Sequence, residues 1–122
     1  MTSAEDAGVA MPRSYLRPCL LLLLAEGTSH GYELLAHLTG LGVGRSDPGA
    51  VYRCLRSMDE DGLVRSAWEP STSGPARRVY DLTDDGRRQL DLLADAVAEL
   101  TRLLTSFQDR HALLPVAAGA VR

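Results

Sequence analysis

Residues 47–62 read Asp47-Pro48-Gly49-Ala50-Val51-Tyr52-Arg53-Cys54-Leu55-Arg56-Ser57-Met58-Asp59-Glu60-Asp61-Gly62. The stretch carries its own start and stop signals. The Asp47 carboxylate can accept a free first-turn N–H, and Pro48 at the first helical position lacks an N–H that would be unpaired there. Asp61-Gly62 ends the helix, because glycine readily takes the left-handed conformation that follows a last turn. Between these signals Val51, Cys54, Leu55 and Met58 follow the i, i+3, i+4, i+7 spacing of one buried face. With that face inward, Gly49, Arg53, Arg56 and Glu60 point out and Tyr52 lies at the edge. An amphipathic helix with both of its arginines on the solvent side is the centre of the reading.

Downstream come two short extended runs, Leu63–Glu69 and Arg77–Leu82. They flank Pro70-Ser71-Thr72-Ser73-Gly74-Pro75-Ala76, a connector whose proline, serine and glycine content predicts a hairpin tip. Tyr80 and Leu82 share one face of the second strand, as period-two burial requires. Thr83 then caps a fourth helix, with Asp84 and Asp85 favoured by the positive end of its dipole. This helix is expected to run to about Phe107. Leu90, Leu93, Val97, Leu100, Leu104 and Phe107 are spaced 3-4-3-4-3, a heptad seam. Leu92, Ala96 and Leu103 form a second stripe. A helix with two apolar stripes needs two partners, its own domain and something else.

Upstream, a first helix starts between Ser14 and Pro18, runs to Glu26 and stops at Gly27. Its all-round apolar middle predicts burial on several sides. Ser29 reads as the N-cap of a second helix, His30 to about Thr39. Leu34, Leu35, Leu38 and Leu41 give that helix its apolar stripe, and Gly40, Gly42 and Gly44 break it. The order is helix, helix, helix, hairpin, long helix. The expected fold is mainly α with a small β-hairpin: a winged helix-turn-helix domain plus a long C-terminal dimerisation helix. Residues 1–11 read as a flexible tail, 12–82 as the winged domain, 83–107 as the dimerisation helix and 108–122 as a second flexible tail.

Composition bounds the function. A chain of 122 residues supports one modest core and no separate catalytic domain. All 13 basic residues are arginine, against 16 acidic ones, for a net charge of −3. That sign is wrong for a simple polyanion binder. Placement answers the objection: residues 65–78 hold Arg65, Arg77 and Arg78 against Glu69 alone, while residues 83–122 hold five arginines and six acids. Cys19 and Cys54 have no metal-like spacing and read as buried thiols in a reducing compartment. The leucine run at 20–24 is too short to span a membrane and lacks the flanks of a signal peptide, so a cytoplasmic protein is expected.

The sharper chemistries fail on spacing. Gly40-x-Gly42-x-Gly44 follows a helix rather than a strand and is not followed by Lys-Ser/Thr, so it is no phosphate loop. His30 and His37 are seven apart, too far for an i, i+4 metal pair. No nucleophile stands at a recognisable distance from a histidine and a carboxylate. No catalytic residue, metal site or cofactor is expected, and Trp68 reads as core or hairpin packing rather than a ligand platform. Arg53 and Arg56 suit a major groove, since arginine can donate two hydrogen bonds to guanine. A bland alternative pairs Arg56 with Asp59 and Glu60 on a solvated face. Arg77 and Arg78, beside the hydroxyls of Ser71, Thr72 and Ser73, suit a phosphate backbone or minor groove.

Four short motifs stand in order: Ser29-His30-Gly31-Tyr32-Glu33-Leu34, Gly49-Ala50-Val51-Tyr52 with Leu55, Glu60-Asp61-Gly62-Leu63-Val64, and Arg78-Val79-Tyr80-Asp81-Leu82-Thr83 with Gly86. Together, over about residues 16–107, they resemble the PadR family of bacterial transcription regulators. The resemblance implies a winged helix whose C-terminal helix exchanges contacts across a dimer, and repression relieved by a small, often aromatic effector. It puts Ser29, His30 and Tyr32 near the DNA backbone. Gly49, Tyr52, Arg53 and Arg56 fall on the recognition helix, and Ser73, Gly74, Arg77 and Arg78 on the wing. The chain departs from the common pattern at Arg53, where many members carry proline, and its seam holds no tryptophan to sandwich an aromatic effector.

The expected function is therefore a homodimeric, sequence-specific repressor of double-stranded DNA, with a small-molecule effector as a further partner and no membrane partner. The competing reading is a winged-helix module that binds another protein through its helical seam without touching DNA. An enzyme is the least favoured class, because no site is visible.

Overall fold

The computed structural model describes residues 15–42, 47–70 and 74–117. It divides into two compact units, one up to Asp91 and one from Leu92. The expected tail at 1–11, Gly44, the tip residues Ser71–Ser73 and residues 118–122 lie outside the described residues.

The elements are α1 (Leu16–Ala25), α2 (Gly31–Leu38) with a 3-10 turn at Thr39–Leu41, α3 (Pro48–Glu60), β1 (Val64–Glu69), β2 (Arg77–Leu82) and α4 (Asp84–Ala112). The order is that of a winged helix-turn-helix. In α1, Cys19, Leu20, Leu21, Leu23 and Leu24 are all buried, as an all-round apolar helix requires. They meet Leu34 and Leu38 of α2 and Val51, Leu55 and Met58 of α3 in one core, which Leu63, Val64 and Tyr80 close from the hairpin side. Gly27 takes a φ of +107° just past α1, and the N–H of Thr28 returns to the carbonyl of Leu23. That turn redirects the chain into α2.

The start of α3 follows its sequence signals. The N–H of Gly49 donates to Asp47 Oδ1 at 3.1 Å, with Pro48 in the first turn. Gly62, at φ +76°, ends the helix. Arg17 of α1 ties this end down, donating to Asp61 Oδ2 at 3.0 Å and Ser57 Oγ at 2.9 Å. β1 and β2 pair antiparallel from Val64↔Leu82 to Glu69↔Arg77.

Three expectations need correction. Ser29 is not the N-cap of α2: that place belongs to His30, which makes no side-chain cap bond. The cause is tertiary. The carbonyl of Ser29 accepts the N–H of Tyr80 at 2.8 Å and His30 bridges Val79, so this segment lies extended along β2 and the helix starts one residue later. Cys54 is half-buried rather than buried, because it stands at the margin of the α3 face. Burial still raises both cysteine thiols above their usual value, with Arg17 opposing at Cys54. Finally, α4 continues past Phe107 to Ala112, so the residues from Gln108 to Ala112 are helix rather than tail. No glycine or proline interrupts the chain there, and polar residues extend a helix without extending its apolar seam.

Thr83 caps α4 as expected. Its hydroxyl donates to the carbonyl of Gly62 at 2.6 Å and accepts the N–H of Gly86 at 3.0 Å. One side chain thus fixes the start of α4 on the α3–β1 turn. In the second unit Val97, Leu100, Leu103, Leu104 and Phe107 are exposed.

Candidate nucleic-acid interface

The outward face of α3 carries Tyr52, Arg53, Arg56 and Glu60, all exposed. Arg53 folds back toward the helix start, with Nη2 3.6 Å from Asp47 Oδ2. Its guanidinium also lies over Gly49, where an added Cβ would come within 3.1 Å of Nη1. The Gly49 backbone is therefore covered by Arg53 and the capping carboxylate. That ion pair is solvent-exposed on both sides and so contributes only about 0–1 kcal/mol. A stronger anion can take Arg53 from it. Arg56 makes no ion pair among the described residues. Its nearest expected partner, Asp59, accepts Ser66 Oγ at 2.7 Å instead.

Two of the three acids at the end of α3 are thus engaged, Asp59 by Ser66 and Asp61 by Arg17. The Arg17 guanidinium offsets the charge of Asp61, while Asp59 keeps its charge and accepts a hydrogen bond from Ser66.

At the start of α2, Gly31 lies beneath the Tyr52 ring: an added Cβ would stand 2.9 Å from Tyr52 Cε1. This close approach holds the α3 tyrosine against α2. His30 is tied inward. Its Nδ1 is 3.0 Å from Glu33 Oε1 and its Nε2 is 3.3 Å from Glu69 Oε1. Flanked by two carboxylates, His30 links α2 to β1 rather than offering a free donor. Tyr32 is exposed, and its hydroxyl accepts Arg77 Nη1 at 3.2 Å. Ser29 is half-buried, its carbonyl committed to β2.

The two wing arginines differ. Arg77 is exposed, touching Tyr32 alone among the described polar groups. Arg78 is half-buried. Its Nη2 donates to Ser66 Oγ at 2.7 Å and its guanidinium lies 5.1 Å from the Trp68 ring centre. Ser66 then donates to Asp59, so a hydrogen-bond chain runs from β2 through β1 to α3. Burial raises the Tyr80 hydroxyl above its usual value, with Arg78 opposing. Gly74 is exposed; Ser73 lies outside the described residues.

Sequence reasoning missed Ser66, Asp59 and the Trp68–Arg78 stack. Their signal was period two: Ser66 and Trp68 share a hairpin face with Tyr80 and Arg78, their cross-strand partners. Among the described residues no group of His, Cys, Asp or Glu could hold a metal, and no helix is long and apolar enough to cross a membrane.

The model of the transcriptional regulator PadR-like family matches residues 20–92, from α1 through the hairpin into α4. The chain belongs to the PadR-like family. This PadR-like chain is 34% identical over 100 residues to the Mycobacterium tuberculosis transcriptional regulator Rv3488, covering 82% of the chain and 92% of that relative. It also resembles the crystal structure of a PadR-like transcriptional regulator from Bacillus cereus, with TM-score 0.69, 25% identity and coverage of 78% and 92% of the two chains. A PadR-like transcription factor from Bacteroides fragilis gives TM-score 0.66 and 27% identity, covering 78% and 91%. The PadR-like chain is a transcriptional regulator, not an enzyme.

Proposed function

We propose that this PadR-like regulator is a homodimeric, cytoplasmic repressor that binds a pseudo-palindromic operator. The observation that carries the reading is the shared exposure of Arg53 and Arg56 on α3 beside an exposed Arg77 on the wing. α3 enters the major groove, where Arg53 donates to base edges. Arg77 and the Tyr32 hydroxyl beside it neutralise and position the backbone, with Gly74 and Ser73 at the wing tip. Leu90, Leu93, Val97, Leu100, Leu104 and Phe107 pair two copies along α4. The two recognition helices then lie about 34 Å apart, one turn of DNA. Release by a small-molecule effector completes the regulatory cycle.

The test is selection of bound fragments from genomic DNA. Recovery of one inverted-repeat sequence, with loss of that preference in Arg53→Ala, supports the reading; recovery of unrelated fragments overturns it.

The split between the wing arginines gives a second expectation. Arg77→Ala should lower affinity for every duplex alike and reduce the salt slope by about 1.8, since a dimer loses two phosphate contacts. Arg78→Ala should instead lower stability by about 1 kcal/mol, because Ser66 loses a charged partner inside the hairpin. Denaturant melts and salt titrations of both variants separate the two roles.

A further inference from the structure

The face of α3 bearing Tyr52, Arg56 and Asp59 opposes the hairpin face bearing Ser66, Trp68 and Arg78. Between them lies an open cleft of about 420 Å³. We propose that this cleft seats one deoxyribose–phosphate unit of the DNA strand that separates the groove entered by α3 from the groove reached by the wing. The proposal rests on the DNA-binding reading above and deepens it.

Three observations carry it. First, position: a duplex spanned by α3 and the wing must pass the strand dividing its two grooves between them. Second, the walls are aromatic and open. Trp68 is 63% exposed and Tyr52 42%, and such rings, apolar in body with one polar edge, suit contact with a partner that is itself part apolar and part wet. Arg78 lies over the Trp68 ring, so the indole is held in place with its remaining surface free. Such a ring suits the apolar carbons of a sugar. Third, charge is sorted by depth. The floor is satisfied by the Arg78–Ser66–Asp59 chain, in which the Asp59 carboxylate already accepts a hydrogen bond. Of the two arginines lining the cleft, Arg78 is taken up by Ser66 and Trp68, whereas Arg56 makes no ion pair among the described residues and is exposed beside these rings. A phosphate therefore sits at Arg56 with its sugar against Trp68. This moves Arg56 from a base edge, where the sequence placed it, to the backbone.

Trp68 is the only tryptophan, so its fluorescence reports on the cleft directly. A dye-labelled duplex recovered by the selection above is titrated into the full chain. Dye anisotropy follows binding while acrylamide quenching follows access to Trp68. Binding should shield Trp68 from acrylamide. Trp68→Ala should weaken binding about tenfold with the salt slope unchanged, since a sugar contact releases no counterions. Trp68→Phe, which keeps a ring, should retain most of the affinity. Arg56→Gln should lower the slope by about 1.8, one phosphate from each protomer, and leave sequence preference intact. If anisotropy shows a bound duplex while Trp68 stays equally open to acrylamide, the proposal is overturned and the DNA-binding reading stands. If anisotropy does not change at all, that reading falls and the proposal falls with it.

Discussion

Gly86→Ala is expected to lower the stability of the winged-helix unit by about 3 kcal/mol, the upper end for overpacking a well-fitted site. An added Cβ at this position would stand 2.0 Å from the carbonyl oxygen of Leu63 and 2.6 Å from Leu82 Cδ1. The first contact is with backbone, so no rotamer change relieves it. Nor is that carbonyl free to move, because it accepts the N–H of Thr83 at 3.1 Å. Gly86 itself donates to the Thr83 hydroxyl. Making room means lifting the first turn of α4 from the α3–β1 turn and breaking the Thr83 cap with it. Thermal unfolding should show the midpoint falling by roughly 12–24 °C for a unit of this size. A fall of less than about 4 °C would mean that α4 does not dock on Leu63 this closely.

Leu100→Asp with Leu104→Asp is expected to convert the proposed dimer to monomers and lower operator affinity by about 10²–10⁴-fold. The reason is effective concentration: in a dimer the second half-site contact is intramolecular, and separate protomers lose that advantage. Leu100 is 53% exposed and Leu104 55% in the single chain. They fall at heptad spacing with Val97 and Phe107, also exposed, which is the pattern a second helix covers. Two carboxylates facing their symmetry mates would have to be buried unpaired, at a cost that no surface contact offsets. Sedimentation should show monomers with an unchanged melting profile for the winged unit. A dimer that persists would place the interface elsewhere than this seam.

Local signals carried most of the fold. Asp47-Pro48 opened α3 where the sequence placed it, Gly62 closed it, and the strand bounds at Arg77 and Leu82 agree with the run of residues that predicts them. What escaped was tertiary. The N-cap at Ser29 looked sound by residue type, yet the Ser29 carbonyl is taken by Tyr80, some fifty positions away in sequence, and no local pattern announces that pairing. The length of α4 was underread because the last apolar seam residue, Phe107, was taken as the last helical one. Polar residues continue a helix silently. Arg77 and Arg78 looked equivalent as neighbours, but successive strand residues point to opposite faces. One reaches Tyr32 in solvent, while the other turns to Ser66 and Trp68. The recognition-helix face was legible from periodicity alone; the cleft beside it needed the strand register.

The most direct test of DNA binding by an acidic chain is the salt dependence of affinity for the selected duplex beside a scrambled one. If Arg56 and Arg77 of each protomer in the proposed dimer take one phosphate apiece, four are neutralised, and at about 0.9 each the plot of log affinity against log salt should have a slope near −3.6. The expected result is that slope on both duplexes, with the selected one bound more tightly throughout. Affinity that is flat in salt, or equal for the two duplexes in a chain that still dimerises, would contradict sequence-specific DNA binding and favour a module that works through its helical seam.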